Sequence, residues 1–133
     1  MWAKSAIVAG FGVLGGIVGY LYGGWSLCLE TLLFFNALDL ATGVLVGLRD
    51  GKIESPRMLV GILKKLAMWL ALAIAYRVDV LLFKDATVFI SGAFLFIANE
   101  GLSIVENLGK LGIETEFLSK YLKQVRKYDK KGK

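Results

Sequence analysis

Between Ser5 and Leu29 no side chain carries a charge at neutral pH. Three more long apolar runs follow, Thr31–Leu48, Leu66–Phe83 and Ala86–Val105, each broken by only one or two charges. Apolar residues make up 56% of the 133 positions and mean hydropathy is +0.63, above the roughly 45–50% of ordinary soluble domains. A core this small has no place for so much apolar surface. A lipid bilayer does, because a helix of ~20 mainly apolar residues crosses ~30 Å of hydrocarbon. The chain has room for four such helices, short connections and a polar tail. A signal peptide does not fit, because the first apolar run reaches Leu29 with no small-residue cleavage site and more spans follow it.

The residues that punctuate these runs predict an all-α integral membrane fold. Gly23-Gly24 breaks the first run, with Tyr20, Tyr22 and Trp25 beside it as an interfacial aromatic belt. Spans are predicted at about 5–22, 25–48, 58–83 and 86–107. Asp50-Gly51 reads as a turn, Ser55-Pro56 as an N-cap followed by proline in the first turn, and Lys84-Asp85 as a second short turn. Residues 1–113 then form one membrane domain and 114–133 a basic tail.

Charge placement sets an expected orientation. Lys4, the connection carrying Arg49, Lys52, Arg57, Lys64 and Lys65, and the eight basic residues after Asn107 fall on one side, leaving Arg77 and Lys84 for the other. The positive-inside rule puts both termini and that connection in the cytoplasm of a multi-pass protein in a bacterial inner membrane. Arg77 and Asp79, near the outer interface, are expected to reach outward. In the tail, Phe117, Leu118, Tyr121, Leu122 and Val125 share a helical face, with Lys120, Lys123, Arg126 and Lys127 between them and Lys130, Lys131 and Lys133 beyond. This pattern fits an amphipathic helix on an anionic leaflet, or a solubilising tail that sets orientation. Nucleic acid is not expected as a partner, since topology accounts for the basic bias.

Several chemistries are excluded. With no histidine and one cysteine, the chain lacks the ligands of zinc and haem sites, the serine–histidine and cysteine–histidine pairs, and any internal disulfide. No cofactor, metal or enzymatic activity is expected. Gly10-Phe11-Gly12 with Gly15-Gly16 resembles a nucleotide loop only superficially, for no strand precedes it.

Polar residues inside the spans stand out instead. At roughly 100° per residue, Asn99, Glu100, Ser103, Glu106 and Asn107 fall within one arc of the fourth span, and Asn36, Asp39, Thr42, Gly43 and Gly47 mark a polar or small-residue region of the second. A central carboxylate facing lipid costs ~2.5–3.5 kcal/mol on the insertion scale. Asp39 and Glu100 each lie 14 residues from the outer end of their predicted span, ~21 Å by helical rise. Lys64 or Lys65 reaches a similar depth and is expected to pair with Asp39 or Glu100, within or between subunits. The stripes suit three roles: holding helices together, lining a wet lesion or pore, or binding a transported ion. Gly12/Gly16, Gly15/Gly19 and Gly19/Gly23 are small-xxx-small pairs, repeated at Gly43/Gly47, that permit close helix approach and self-association.

These residues resemble a known family. Asp39-Leu40-Ala41-Thr42-Gly43 is similar to the D-x-x-T-G motif of the toxin-secretion/phage-lysis holins of bacteriophages. Ser55, Gly61 and Lys64-Lys65 fall where that family has S…G…K, and Asp79 resembles the acidic residue ending its next span. Asn99-Glu100-Gly101-Leu102-Ser103-Ile104-Val105-Glu106-Asn107 matches N-E-x-x-S-x-x-E-N, and Leu108–Ile113 continues the match. The resemblance covers about Ser26–Lys127. The chain departs at Glu114-Thr115-Glu116, where the family often has proline. The resemblance implies a phage- or prophage-encoded protein that accumulates in the cytoplasmic membrane, forms homo-oligomers and opens lesions. Those lesions release a cell-wall hydrolase or a toxin without needing direct contact with it. A small four-span channel or transporter using Asp39 or Glu100, and a non-conducting adaptor with a recruiting tail, are the other classes the residues admit.

Overall fold

The computed structural model describes residues 1–131, with side chains through Lys127. It is all-helical: α1 (Trp2–Tyr22), α2 (Leu27–Arg49), α3 (Ser55–Val78) running on into a π-helical turn (Asp79–Phe83), α4 (Thr87–Lys110) and α5 (Glu116–Lys131). Four helices are long and apolar enough to cross a membrane, α3 counted together with its π turn.

Local chemistry fixes the boundaries. α1 ends because Gly23 takes a left-handed conformation (φ 74°) and its amide donates to the Gly19 carbonyl at 2.9 Å. A Cβ at Gly23 would also lie 2.7–2.8 Å from the Tyr76 ring, so conformation and space both demand glycine. Ser26 caps α2, its hydroxyl accepting from the Leu29 amide at 3.4 Å. At the start of α3 the cap position falls on Glu54 instead of the expected Ser55, with no side-chain cap bond, and Pro56 occupies the first turn. Proline's fixed φ suits that turn, which leaves Ser55 inside the helix. α4 closes on a Schellman arrangement. Gly112 is left-handed (φ 84°), Ile113 donates to the Leu108 carbonyl and Gly112 to that of Gly109, both at 3.0 Å.

α4 is the hub: it packs on α2, α3 and α5, while α2 and α3 meet only lightly and α1 lies mainly against α3, with Tyr22 at its end also reaching Phe89 of α4. The interior is layered. At the α1–α2 turn end, Leu29, Leu32, Leu72, Phe89 and Ala93 form a dry cluster roofed by Tyr22, Trp69 and Tyr76. Tyr22 donates to the Trp69 carbonyl at 2.9 Å, and Trp25 stacks on Trp69 with ring centroids 6.4 Å apart. Polar side chains fill the middle layer. At the opposite end the helices part around a cavity of about 370 Å³. Elsewhere the pattern of a soluble protein is inverted: Leu33, Phe34, Leu70, Ile74 and Phe94 point outward, and α1 buries no side chain. Such an exterior is tolerable in hydrocarbon and not in water.

Asp79 departs from expectation. Arg77 does turn outward, donating to the Tyr20 carbonyl at 2.8 Å and lying over the Tyr20 ring at 4.1 Å. Asp79 instead points inward, with 0% exposure, and its two carboxylate oxygens accept from the amides of Val88 (2.9 Å) and Phe89 (2.7 Å). The reason lies in α4, whose N-cap residue is Ala86 and carries no capping side chain. The first-turn amides need acceptors, and an anion at a helix N-terminus is favoured. The π turn, closed by left-handed Lys84 (φ 56°) with its amide on the Asp79 carbonyl at 2.7 Å, carries the chain from Asp79 round to α4. Asp79→Ala is expected to lower stability in detergent by ~1–3 kcal/mol, Asp79→Asn by less, and exposed Asp85→Asn hardly at all. Denaturant titration followed by helicity checks this, and equal stability of all three variants would contradict it.

Candidate functional site: a buried ion-pair network

The middle layer draws on one face of each of three helices. α2 supplies Asn36, Asp39 and Thr42, α3 supplies Lys65 and Trp69 one turn apart, and α4 supplies Glu100 and Asn107. The Lys65 ammonium donates to Asp39 Oδ2 at 2.7 Å and to Glu100 Oε2 at 2.5 Å. Asn36 Nδ2 donates to the same Glu100 oxygen at 2.8 Å, while its Oδ1 accepts from the Trp69 indole at 2.9 Å. Asn107 Nδ2 donates to Thr42 Oγ1 at 3.1 Å and more weakly to Asp39 Oδ1 at 3.4 Å. The Thr42 hydroxyl donates back to the Leu38 carbonyl at 2.9 Å. Side-chain exposure is 11% for Lys65, 16% for Asp39 and 6% for Glu100. Among the described residues no fully buried side-chain nitrogen or oxygen lacks a hydrogen-bond partner.

The structure divides the sequence-predicted residues. Of the two candidate lysines, Lys65 binds both carboxylates within one chain, whereas Lys64 is exposed. Ser103 lines the cavity, while Glu106 is exposed and pairs with Lys110 at 3.1 Å. Asn99 is half-buried and apart from the network. Gly43 faces Asn107, whose Nδ2 would lie 3.9 Å from an added Cβ. Gly47 serves the α2–α3 turn: its carbonyl accepts from the Lys52 amide at 2.9 Å, and a Cβ there would lie 3.2 Å from the Lys52 carbonyl oxygen. Gly12, Gly15, Gly16 and Gly19 face open space. Lys120, Lys123, Arg126 and Lys127 are exposed on α5. Lys133 lies outside the described residues, as do the side chains of Lys130 and Lys131.

One participant was not read from the sequence. Trp69 carried a signal, for it sits four residues after Lys65 and so on the same helical face.

Electrostatically the network is a lock. One cation holds a carboxylate from each of two other helices, and amides complete the shell. The cavity reaches this lock from the α2–α3 turn end, lined by Asp50, Arg57 and Lys110 as well as by Asp39, Ser103 and Asn107. Removing one partner of a buried pair typically costs 3–5 kcal/mol, because it strands the other charge. Lys65→Met leaves two facing carboxylates and is expected to destabilise the bundle by about that amount. Adding Asp39→Asn and Glu100→Gln should recover part of the loss, and Lys64→Met should cost little. Unfolding titrations in detergent measure each step, and equal losses for the two lysine variants would refute the assignment.

The chain matches the model of the bacteriophage holin family over residues 16–127. It is 39% identical over 114 residues to an uncharacterised protein of Clostridium perfringens, with 84% of each chain covered. It is 34% identical over 117 residues to one of Halalkalibacterium halodurans, again with 84% of each covered. A probable holin of Bacillus phage phi105 is 30% identical over 86 residues, spanning 65% of this chain and 64% of its own. No solved structure matches. The chain is a membrane protein and belongs to the bacteriophage holin family.

Proposed function

We propose that this protein is a working holin of the bacterial cytoplasmic membrane. Copies accumulate there with both termini inside, assemble, and open lesions through which a cell-wall hydrolase, or in some hosts a toxin, escapes. The observation that carries this reading is the family match over residues 16–127, from the last two turns of α1 through most of α5, with a probable phage holin among the relatives.

The architecture is compatible with it in three ways. The fully buried polar side-chain atoms of α2–α4 are satisfied inside one chain, so a single protomer can enter the bilayer without leaving a buried polar group unpaired. The exterior is apolar, as lipid requires. The glycines of α1 face open space, which leaves Gly12/Gly16 and Gly15/Gly19 as seams for a second copy. The basic tail then lies at the anionic cytoplasmic leaflet and helps to fix orientation. Nothing in this scheme requires a catalytic group, because the cargo passes through a hole.

A second reading, a selective ion channel or transporter, draws on one observation: the cavity reaches Asp39 from one end. The two readings part in the cell. Inducible expression in a bacterium should give abrupt collapse of membrane potential together with leakage of a cytoplasmic enzyme. Saturable, selective ion flux with no enzyme leakage would overturn the holin reading in favour of a carrier. Gly12→Leu with Gly16→Leu, or Gly15→Leu with Gly19→Leu, should shift the onset of leakage. Unchanged timing in both pairs would remove α1 from the assembly step.

A further inference from the structure

α5 uses only one edge of its apolar face inside the molecule. Leu122 fills the space left by Gly101: a Cβ there would lie 2.9 and 3.0 Å from the two Leu122 methyls and 3.1 Å from the Phe35 ring. Thr115, buried, starts the return by donating to the Val105 carbonyl at 3.3 Å. Thr115, Leu118 and Leu122 share a face at helical spacing, and that face meets α4. Phe117 and Tyr121 lie roughly 100–140° round the helix from Leu122, and each keeps 65% exposure. Lys120, Lys123 and Lys127 lie roughly as far round the other way and are exposed too. The helix thus has a protein-facing sector, an uncovered aromatic sector and a mainly cationic sector, which exposed Glu116 shares with the three lysines.

We propose that the uncovered aromatic and cationic sectors form a binding surface for an anionic phospholipid leaflet, engaged while α5 stays docked on α4. Phe117 and Tyr121 enter the interface between headgroups and acyl chains, where amphipathic rings are favoured. Lys120, Lys123 and Lys127 meet the lipid phosphates. Two observations select a leaflet over an acidic protein. The aromatic sector continues the apolar exterior of the spanning helices, and only five residues separate α5 from the end of α4, so the leaflet is within reach. Docking and lipid contact use different sectors and do not compete. This deepens the tail–leaflet contact in the proposed function and rests on its membrane topology, but not on lesion formation.

The test uses the full chain with Cys28→Ser, reconstituted in phosphatidylcholine vesicles with or without phosphatidylglycerol. An environment-sensitive fluorophore on Gln124→Cys, on the exposed side near Phe117, should shift to the blue when phosphatidylglycerol is present. High salt should reverse the shift. Lys120→Gln and Lys123→Gln should each weaken the apparent lipid response roughly fivefold. Separately, Phe35→Cys and Leu122→Cys should be joined by a short bifunctional thiol reagent with equal yield in both lipids. A shift indifferent to phosphatidylglycerol or to the lysine changes would overturn the surface. A cross-link yield falling severalfold on adding the anionic lipid would show α5 leaving α4, and would overturn docked binding. A protein that passes both vesicle tests yet releases no enzyme from cells would lose the lesion reading and keep this surface.

Discussion

Everything in this bundle depends on Lys65 standing between Asp39 and Glu100. An uncompensated carboxylate in hydrocarbon costs ~2.5–3.5 kcal/mol by insertion scales, and two of them pressed together cost more. A single ammonium with a donor aimed at each converts that penalty into a tie joining three helices. The amides of Asn36 and Asn107 and the Trp69 indole fill most of the remaining valences. Because the tie closes within one chain, α2, α3 and α4 are a finished unit before any copy meets another. α1, bound to that unit only at its C-terminal end, is the span with surface to spare.

The layers divide the labour. The dry cluster of Leu29, Leu32, Leu72 and Phe89 anchors one end by packing, where burying each large side chain contributes roughly 1.5–3 kcal/mol. The ion-pair layer sets register, since only one axial offset brings Lys65 level with both acids. The far end, lined in part by Gly43, Gly47 and Gly61, parts around the cavity. Asp79 links the first layer to the chain's path by serving as the absent cap of the next helix.

Much of this was legible in the sequence because lipid makes hydropathy speak plainly. The four spans, the Gly23-Gly24 break, the Asp50-Gly51 turn and the matched depths of Asp39, Glu100 and Lys65 follow from run length and helical rise. What stayed hidden depends on partners rather than faces. Lys64 and Lys65 are neighbours, so depth alone does not choose between them; the choice comes from rotation, and Trp69 on the same face marks the inward side. Glu106 falls in the same broad arc yet turns out to Lys110, because it lies roughly 120° round α4 from Glu100, whereas Asn107, only about 20° away, stays in the network. Asp79 reads as interfacial until the uncapped start of α4 is set beside it. Gly47 reads as a helix-association glycine but seats the Lys52 carbonyl, and Gly101, unmarked in the sequence, admits Leu122.

The central claim is that the charges sunk among the spans find their partners inside a single protomer. A double-mutant cycle on Lys65→Met and Glu100→Gln, read by unfolding in detergent diluted until the protein is monomeric, tests it most directly. The account predicts a coupling energy of ~1–3 kcal/mol that does not change with protein concentration. Coupling near zero in the monomer, appearing only where copies associate, would show that the pairing is made between subunits and would contradict it.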